Sequence, residues 1–193
     1  GVNGQDLLAI EVFPEGSPEY MSSAERDATY EEVLHFIHGF GIQLALPVMQ
    51  NAIESAMLNA INNDVYNPLS DLPEDDFDEE YFAMGLECYF GLWTHDPNGD
   101  GFCGDQEYAF ITREAMAIGD SALFAIINGY FGEAWEYTAV LPQGFNSNFF
   151  MKNQEGLDYT YRSQYLKNIE TSGDQSINFY GNDSSNQIVG TNG

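Results

Sequence analysis

Basic side chains are scarce: five Lys and Arg stand against 31 Asp and Glu, a formal net charge of −26 over 193 residues. Such a surface repels phosphates and anionic lipid headgroups, which excludes nucleic-acid and anionic-membrane binding and makes cations the natural partners. Before Arg113 the one basic residue is Arg26, so a carboxylate carried inward over that stretch meets no Lys or Arg. Cysteine is equally sparse, with Cys88 and Cys103 alone. Either they pair, stapling a loop to its own helix in an oxidising compartment, or they are two separate small core residues. No run approaches the roughly 20 apolar residues of a membrane span. The chain starts at Gly1 with neither Met nor signal peptide and reads as a mature or excised piece. What is abundant is apolar material, 44% hydrophobic and 15% aromatic, enough for a core and one main domain. A carboxylate surplus of this size suits a salty or calcium-rich medium, where screening and bound ions relieve self-repulsion.

The most specific motif is DPNGDGFCGDQE, Asp96 to Glu107, which falls on the ligand positions of an EF-hand calcium loop. Asp96, Asn98 and Asp100 supply side-chain oxygens at positions one, three and five. Gly101 makes the turn at six, Phe102 offers its carbonyl at seven, and Glu107 closes the ring at twelve. The flanks predict an entering helix over Phe77–Trp93 and an exiting one over Tyr108–Ile118. No second complete loop occurs, so the expectation is a solitary hand of roughly 10⁻⁴ to 10⁻³ M affinity, as in extracellular modules.

Thr29 followed by Glu32 is a capping box that opens a helix to about Phe40, with Gly39 and Gly41 ending it. Its apolar arc is Tyr30, Val33, Leu34, Phe36, Ile37 and Phe40. Beside that arc Glu31, His35 and His38 fall within about 60° of one another, with Glu32 on the other side of His35. Two imidazoles one turn apart can share one ion, with carboxylates as further ligands or as a base. The alternative is a pair of boundary histidines hydrogen-bonded to nearby carboxylates. On the later helix, Glu80 or Glu87 could complete such a zinc site if the two helices pack together. His95, just before the loop, reads as a helix C-terminal residue rather than a ligand.

Pro47 to about Asn62 reads as a core helix, the acidic run from Glu74 to Glu80 as a solvated face at a helix N-terminus, and Asp120 to about Tyr130 as another helix. Trp135–Leu141 is a short apolar piece, and residues Gly1–Glu25 read as a strand or extended stretch followed by loop. From Gly156 onward Asn, Ser, Gly and Thr replace any helical period. Isolated apolar positions Ile169, Ile177, Phe179, Ile188 and Val189 alternate with turns at Gly181–Asp183 and Gly190–Gly193, a pattern that stacks as rungs of a parallel β-solenoid. The expected fold is mainly α: a helical domain (residues 1–155) with one EF-hand-like helix-loop-helix, then a β-rich segment (156–193) leading into repeats.

Two resemblances sharpen this. The tail NFYGNDSSNQIVGTNG resembles the imperfect first turns of hemolysin-type (RTX-like) calcium-binding repeats, through Gly181, Asn182, Asp183, Ile188, Gly190 and Gly193. That resemblance implies a secreted bacterial protein. EEVLHFIHGFG (Glu31–Gly41) and DEEYFAMGLECYFG (Asp78–Gly91) resemble lethal-factor-like zinc metallopeptidase domains, in which a histidine helix is followed by a helix carrying a glutamate ligand. Glu80 matches that glutamate, whereas the HExxH pattern is absent. The leading expectation is a secreted, calcium-stabilised domain with a structural, adhesive or surface-associated role and an extracellular protein or polysaccharide partner. The alternative is a zinc-dependent metallopeptidase with ligands His35, His38 and Glu80 and with Glu31 or Glu32 as base.

Overall fold

In the computed structural model the described residues are 28–94, 96, 98–104, 106–132, 138–141, 143–146, 148–151, 166–174 and 176–190, with Leu7, Ala9 and Val12. The expectations for Gly1–Glu25, His95 and Trp135 otherwise lie outside them. Five helices come first: α1 (Thr29–Ile37), α2 (Pro47–Asn62), α3 (Phe77–Phe90), α4 (Arg113–Gly119) and α5 (Ser121–Phe131). Short strands follow: β1 (Thr138–Leu141), β2 (Asn148–Phe150), β3 (Asn168–Thr171), β4 (Asn178–Tyr180) and β5 (Gln187–Val189). The chain is mainly α with some β, and no single helix among the described residues is long and apolar enough to cross a membrane.

Helix α3 is the axis of the helical part. Every residue from Tyr81 to Tyr89 is buried, and α1, α2, α4 and α5 all pack against it. A helix covered on all sides shows no apolar stripe, which is why carboxylates can sit on it beside aromatics. Gly85 lets α5 approach, since a side chain there would overlap Leu123. The helix stops at Phe90, short of the expected Trp93. Gly91 takes the left-handed conformation (φ 72°), and Leu92 N–H reaches back to the Glu87 carbonyl (2.9 Å), a Schellman ending.

Of the apolar arc expected on α1, Leu34 alone packs against the core, and the histidine face turns inward instead. Tyr30 is 58% exposed, and Val33, Phe36, Ile37 and Phe40 are exposed as well, whereas His35 and His38 are buried. Nor do Gly39 and Gly41 end it. The chain continues through a π-turn (His38–Ile42) into Gln43–Ala45. At Gly39 it passes so close to α3 that a Cβ would lie 3.0 Å from Glu79 Oε1, and Gln43 Nε2 donates to that oxygen (3.1 Å). A glycine here is a point of close approach.

After the acidic loop the expected helix from Tyr108 is replaced by extended backbone. Tyr108 and Cys103 exchange N–H···O bonds (2.8 and 3.2 Å), and Ala109 N–H donates to the Val65 carbonyl (3.0 Å). Pairing with the segment after α2 outcompetes helix formation, and α4 begins only after Thr112, whose hydroxyl caps Ala115 N–H (3.2 Å). The two cysteines are not bridged. Both are buried free thiols, Cys88 donating to the Thr112 carbonyl (3.4 Å) and Cys103 to the Phe110 carbonyl (3.0 Å).

The strands form two parallel sheets, β1-β3-β5 and β2-β4, with Thr138 opposite Asn168, Asn168 opposite Gln187, and Asn148 opposite Asn178. Each pass of the chain lays one strand on the first sheet and the next on the second. Leu141, Phe149, Met151, Leu166 and Ile169 form their own small core between them. Strands therefore begin at Thr138, upstream of the expected change at residue 156.

Asp120 ties the helical core together: its Oδ2 accepts from Tyr81 (2.6 Å) and Tyr108 (3.2 Å), and its Oδ1 caps α5 at Leu123 N–H (3.3 Å). Asp120→Ala removes a cap and leaves two buried phenols unpaired, an expected loss of about 3 kcal/mol. Urea unfolding checks this, and an unchanged midpoint would contradict the assignment.

Candidate metal centre

Glu31 and His35 lie one turn apart on α1, and Glu80 lies in the first turn of α3. The packing of α1 on α3 brings their ligand atoms within 4.8 Å of one another, a convergence found among the described residues at this place alone. His35 is 7% exposed, and its Nε2 is buried without a hydrogen-bond partner, 3.6 Å from Glu80 Oε2. A buried imidazole nitrogen left in this way is costly unless something completes it. The cluster opens on a cleft of about 170 Å³ whose polar wall is Glu31, Glu80, Glu87 and Glu107. Leu69, Leu72, Met84 and Trp93 make the apolar wall.

His38, expected as a second zinc ligand, is not part of the cluster. It is 1% exposed, lies against the Phe82 ring, and its Nε2 donates to Gln50 Oε1 (2.7 Å). Gln50 Nε2 donates in turn to Asp78 Oδ2 (2.5 Å) and Glu54 Oε1 (2.9 Å). His38 lies at the start of a π-turn, between α2 and α3, with Asp78 Oδ2 3.6 Å from its Nε2. Glu32 stays close enough to His35 for its charge to act on the ring, although it is not among the three convergent ligands.

The two imidazoles are tuned in opposite directions. At His35 burial opposes the proton, but Glu80, Glu31 and Glu32 outweigh it and raise the pKa above 6.5. At His38 burial wins over Gln50 and Asp78, and the pKa falls below 6.5. His35 therefore favours the folded state most below pH 6.5, a contribution lost as pH rises through its folded pKa. His38 disfavours it as pH falls from 6.5 toward its own lowered pKa.

The loop from Asp96 has an ordered first half. Asp96 Oδ1 accepts from Asp100 N–H (3.1 Å) and Gly101 N–H (3.2 Å), and Asp100 Oδ1 accepts from Phe102 N–H (3.0 Å). Gly101 supplies the turn at position six with φ 79°. Asn98 and Asp100 are exposed, Asp96 and Phe102 half-buried. Glu107 is buried and lines the cleft, with its Oε2 against Gly104, where a Cβ would approach to 2.6 Å. Asp96, Asp100 and Glu107 are not drawn into a group of the kind that Glu31, His35 and Glu80 form.

A signal for the triad was present in the sequence as Glu31-Glu32-Val33-Leu34-His35. It has the spacing of the metallopeptidase helix HExxH, with a carboxylate where the first imidazole stands. A search for paired histidines passes over it, because the productive pair is i and i+4 rather than His35 and His38. Comparison with family models, curated proteins and solved structures finds no match to this chain.

In the metal-free protein, histidine NMR titration is expected to place His35 above pH 6.5 and His38 below it. His38→Ala is expected to cost about 2 kcal/mol through its cavity and the unpaired Gln50 carbonyl, with His35 still titrating above 6.5. Titration in the reverse order would show that the two environments have been misassigned.

Proposed function

We propose that this chain is a metal-dependent hydrolase domain of peptidase type, with Glu31, His35 and Glu80 holding a divalent first-row metal such as zinc. The observation that carries the reading is the buried Nε2 of His35, which has no hydrogen bond and converges with two carboxylates at the edge of an open cleft. One imidazole and two carboxylates fit zinc as a three-ligand catalytic site with a position left open. Bound there, the ion supplies Lewis acidity toward a carbonyl and acidifies water. Glu32, next to Glu31 on α1, is the base that takes the water proton, as its place in the five-residue spacing requires. Glu31 and Glu80 fix the ion from two helices, so substrate enters from the cleft, where Trp93, Leu69 and Leu72 offer apolar contact and exclude water.

Metal content and turnover test this separately. Purified protein is expected to hold about one zinc per chain, lost in His35→Ala and Glu31→Ala. Glu32→Gln keeps the metal and lowers peptide hydrolysis by about 10²- to 10⁴-fold. Full zinc in His35→Ala would refute the ligand set, and full activity in Glu32→Gln would refute the base.

The second reading is a calcium site at Asp96, Asn98, Asp100, Phe102 and Glu107 in a secreted protein, favoured by the turn that Asp96 Oδ1 already organises. Calcium there serves stability and cell-surface or matrix architecture rather than chemistry. The parallel register of the strands supports a solenoid of hemolysin-type repeats beginning at Thr138. Millimolar calcium is expected to raise the melting temperature, and Asp96→Ala to abolish the rise. A chelator-insensitive melt would overturn it.

A further inference from the structure

The outer face of α1 is apolar along its length. Tyr30, Val33, Phe36, Ile37 and Phe40 fall three and four residues apart, which makes them one stripe on the helix, and each is between 40% and 58% exposed. The Phe36 and Phe40 rings meet near its middle, with centroids 5.1 Å apart. Beyond the π-turn the stripe runs on through Leu44 (75% exposed) and Leu46 to Val48 (78% exposed), where the chain bends by 119° into α2. From Val33 to Val48 every exposed residue is apolar. No Asp, Glu, Lys or Arg occurs between Glu32 and Glu54, in a chain with 31 acidic residues.

Apolar side chains scattered singly over a surface need no explanation, but a connected stripe does. The exposed share of these side chains is of the order of the roughly 800 Å² that each partner brings to a stable interface, above the about 300–600 Å² of the largest patch on an ordinary monomer. Charge then narrows the choice of partner. Helices that lie on membranes carry Lys and Arg beside their apolar face, and none occurs between Arg26 and Arg113. Two copies of a chain with a net charge of −26 repel each other, so they can approach closely only where each is uncharged. This stripe is such a place. A two-fold axis near Phe36 and Phe40 runs α1 antiparallel to its copy, which sets Glu31 and Glu32 of one chain at the opposite end from those of the other.

We infer that the chain pairs with a second copy of itself through the outer face of α1 and the turn into α2, with Phe36 and Phe40 of both copies at the centre and Leu44 and Val48 toward the edge. Glu31 and His35 converge with Glu80 from the inner side of the same helix, so pairing covers α1 from outside. The dimer stands whether or not the cleft holds a metal. Because the two chains repel everywhere else, salt strengthens the pairing, the reverse of its effect on contacts between opposite charges.

The test is sedimentation equilibrium of the full chain over a micromolar concentration series, at low salt and at about 0.5 M NaCl. Twice the 21.5 kDa of one chain is expected at the top of the series, with the dissociation constant lowered about tenfold at the higher salt. Phe36→Glu and Leu44→Asp are each expected to weaken pairing about 30-fold or more. Melting followed by circular dichroism separates this from misfolding, and Leu44, three-quarters exposed, decides the matter if Phe36→Glu fails to fold. The mass of a single chain at every concentration and salt overturns the dimer, and so does pairing that weakens as salt rises. Pairing that survives both substitutions overturns the assignment of this face. A monomer that instead binds phosphatidylcholine vesicles gives the face to a lipid surface and overturns self-association.

Discussion

A helix buried on every side carries Asp78, Glu80 and Glu87 through the middle of a chain that has one basic residue before position 113. A buried carboxylate cannot be left bare, because desolvation costs several kcal/mol. With Lys and Arg absent, the partners must be neutral donors, histidines or external cations. The interior follows that rule. Gln50 serves Asp78, the Trp93 indole donates to Glu87 (2.7 Å), Tyr81 and Tyr108 serve Asp120, and His35 faces Glu80. Arg113, the first basic residue after the loop, donates to the Tyr89 carbonyl (2.8 Å) and stacks over that ring. Neutral donors are sufficient at Asp120, where three hydrogen bonds converge, and Asp78 has Gln50 with His38 beside it. At Glu31 and Glu80 they give way to a single imidazole whose nitrogen is itself unsatisfied, and it is there that a cation has a place.

The same constraint explains why α1 presents its histidines inward. Burying Val33, Phe36 and Phe40 would gain about 2 kcal/mol each, and the periodicity alone argues for it. Yet that orientation would point Glu80 and Asp78 at hydrocarbon, with no donor opposite. Turning His35 and His38 toward α3 gives each carboxylate a partner on the facing helix, at the cost of leaving five large apolar side chains exposed.

These features mark how far the sequence could be read. Helices whose pattern is set by their own residues were legible: Pro47–Asn62 coincides with its expected bounds, and Ser121–Phe131 differs from its reading by a residue. Helix starts were partly legible, as with Thr29, where α1 begins although no side chain caps it. What could not be read was anything decided across the fold. The segment from Tyr108 has helical neighbours but pairs with Val65 and Tyr66, a contact between distant parts of the chain. Glu80 stood beside Glu87 as an alternative until the resemblance singled it out, and its meeting with His35 depended on α1 packing against α3. Glu107 carries a loop signature that fixes its position in sequence and says nothing of which way its side chain turns.

The substitution of a carboxylate for the first imidazole in the spacing Glu31 to His35 has consequences for what the proposed centre could do. Two carboxylates and one imidazole cancel the charge of a divalent ion, whereas two imidazoles and one carboxylate leave a positive charge over. A neutral centre costs less to bury in a chain with so few basic partners. It also lowers the electrostatic pull on bound water, since acidification scales with the charge the ion retains. The proton-accepting role of Glu32 then carries more of the reaction than in a two-histidine site. Any further carboxylate entering the cleft would make the centre anionic and weaken that pull again.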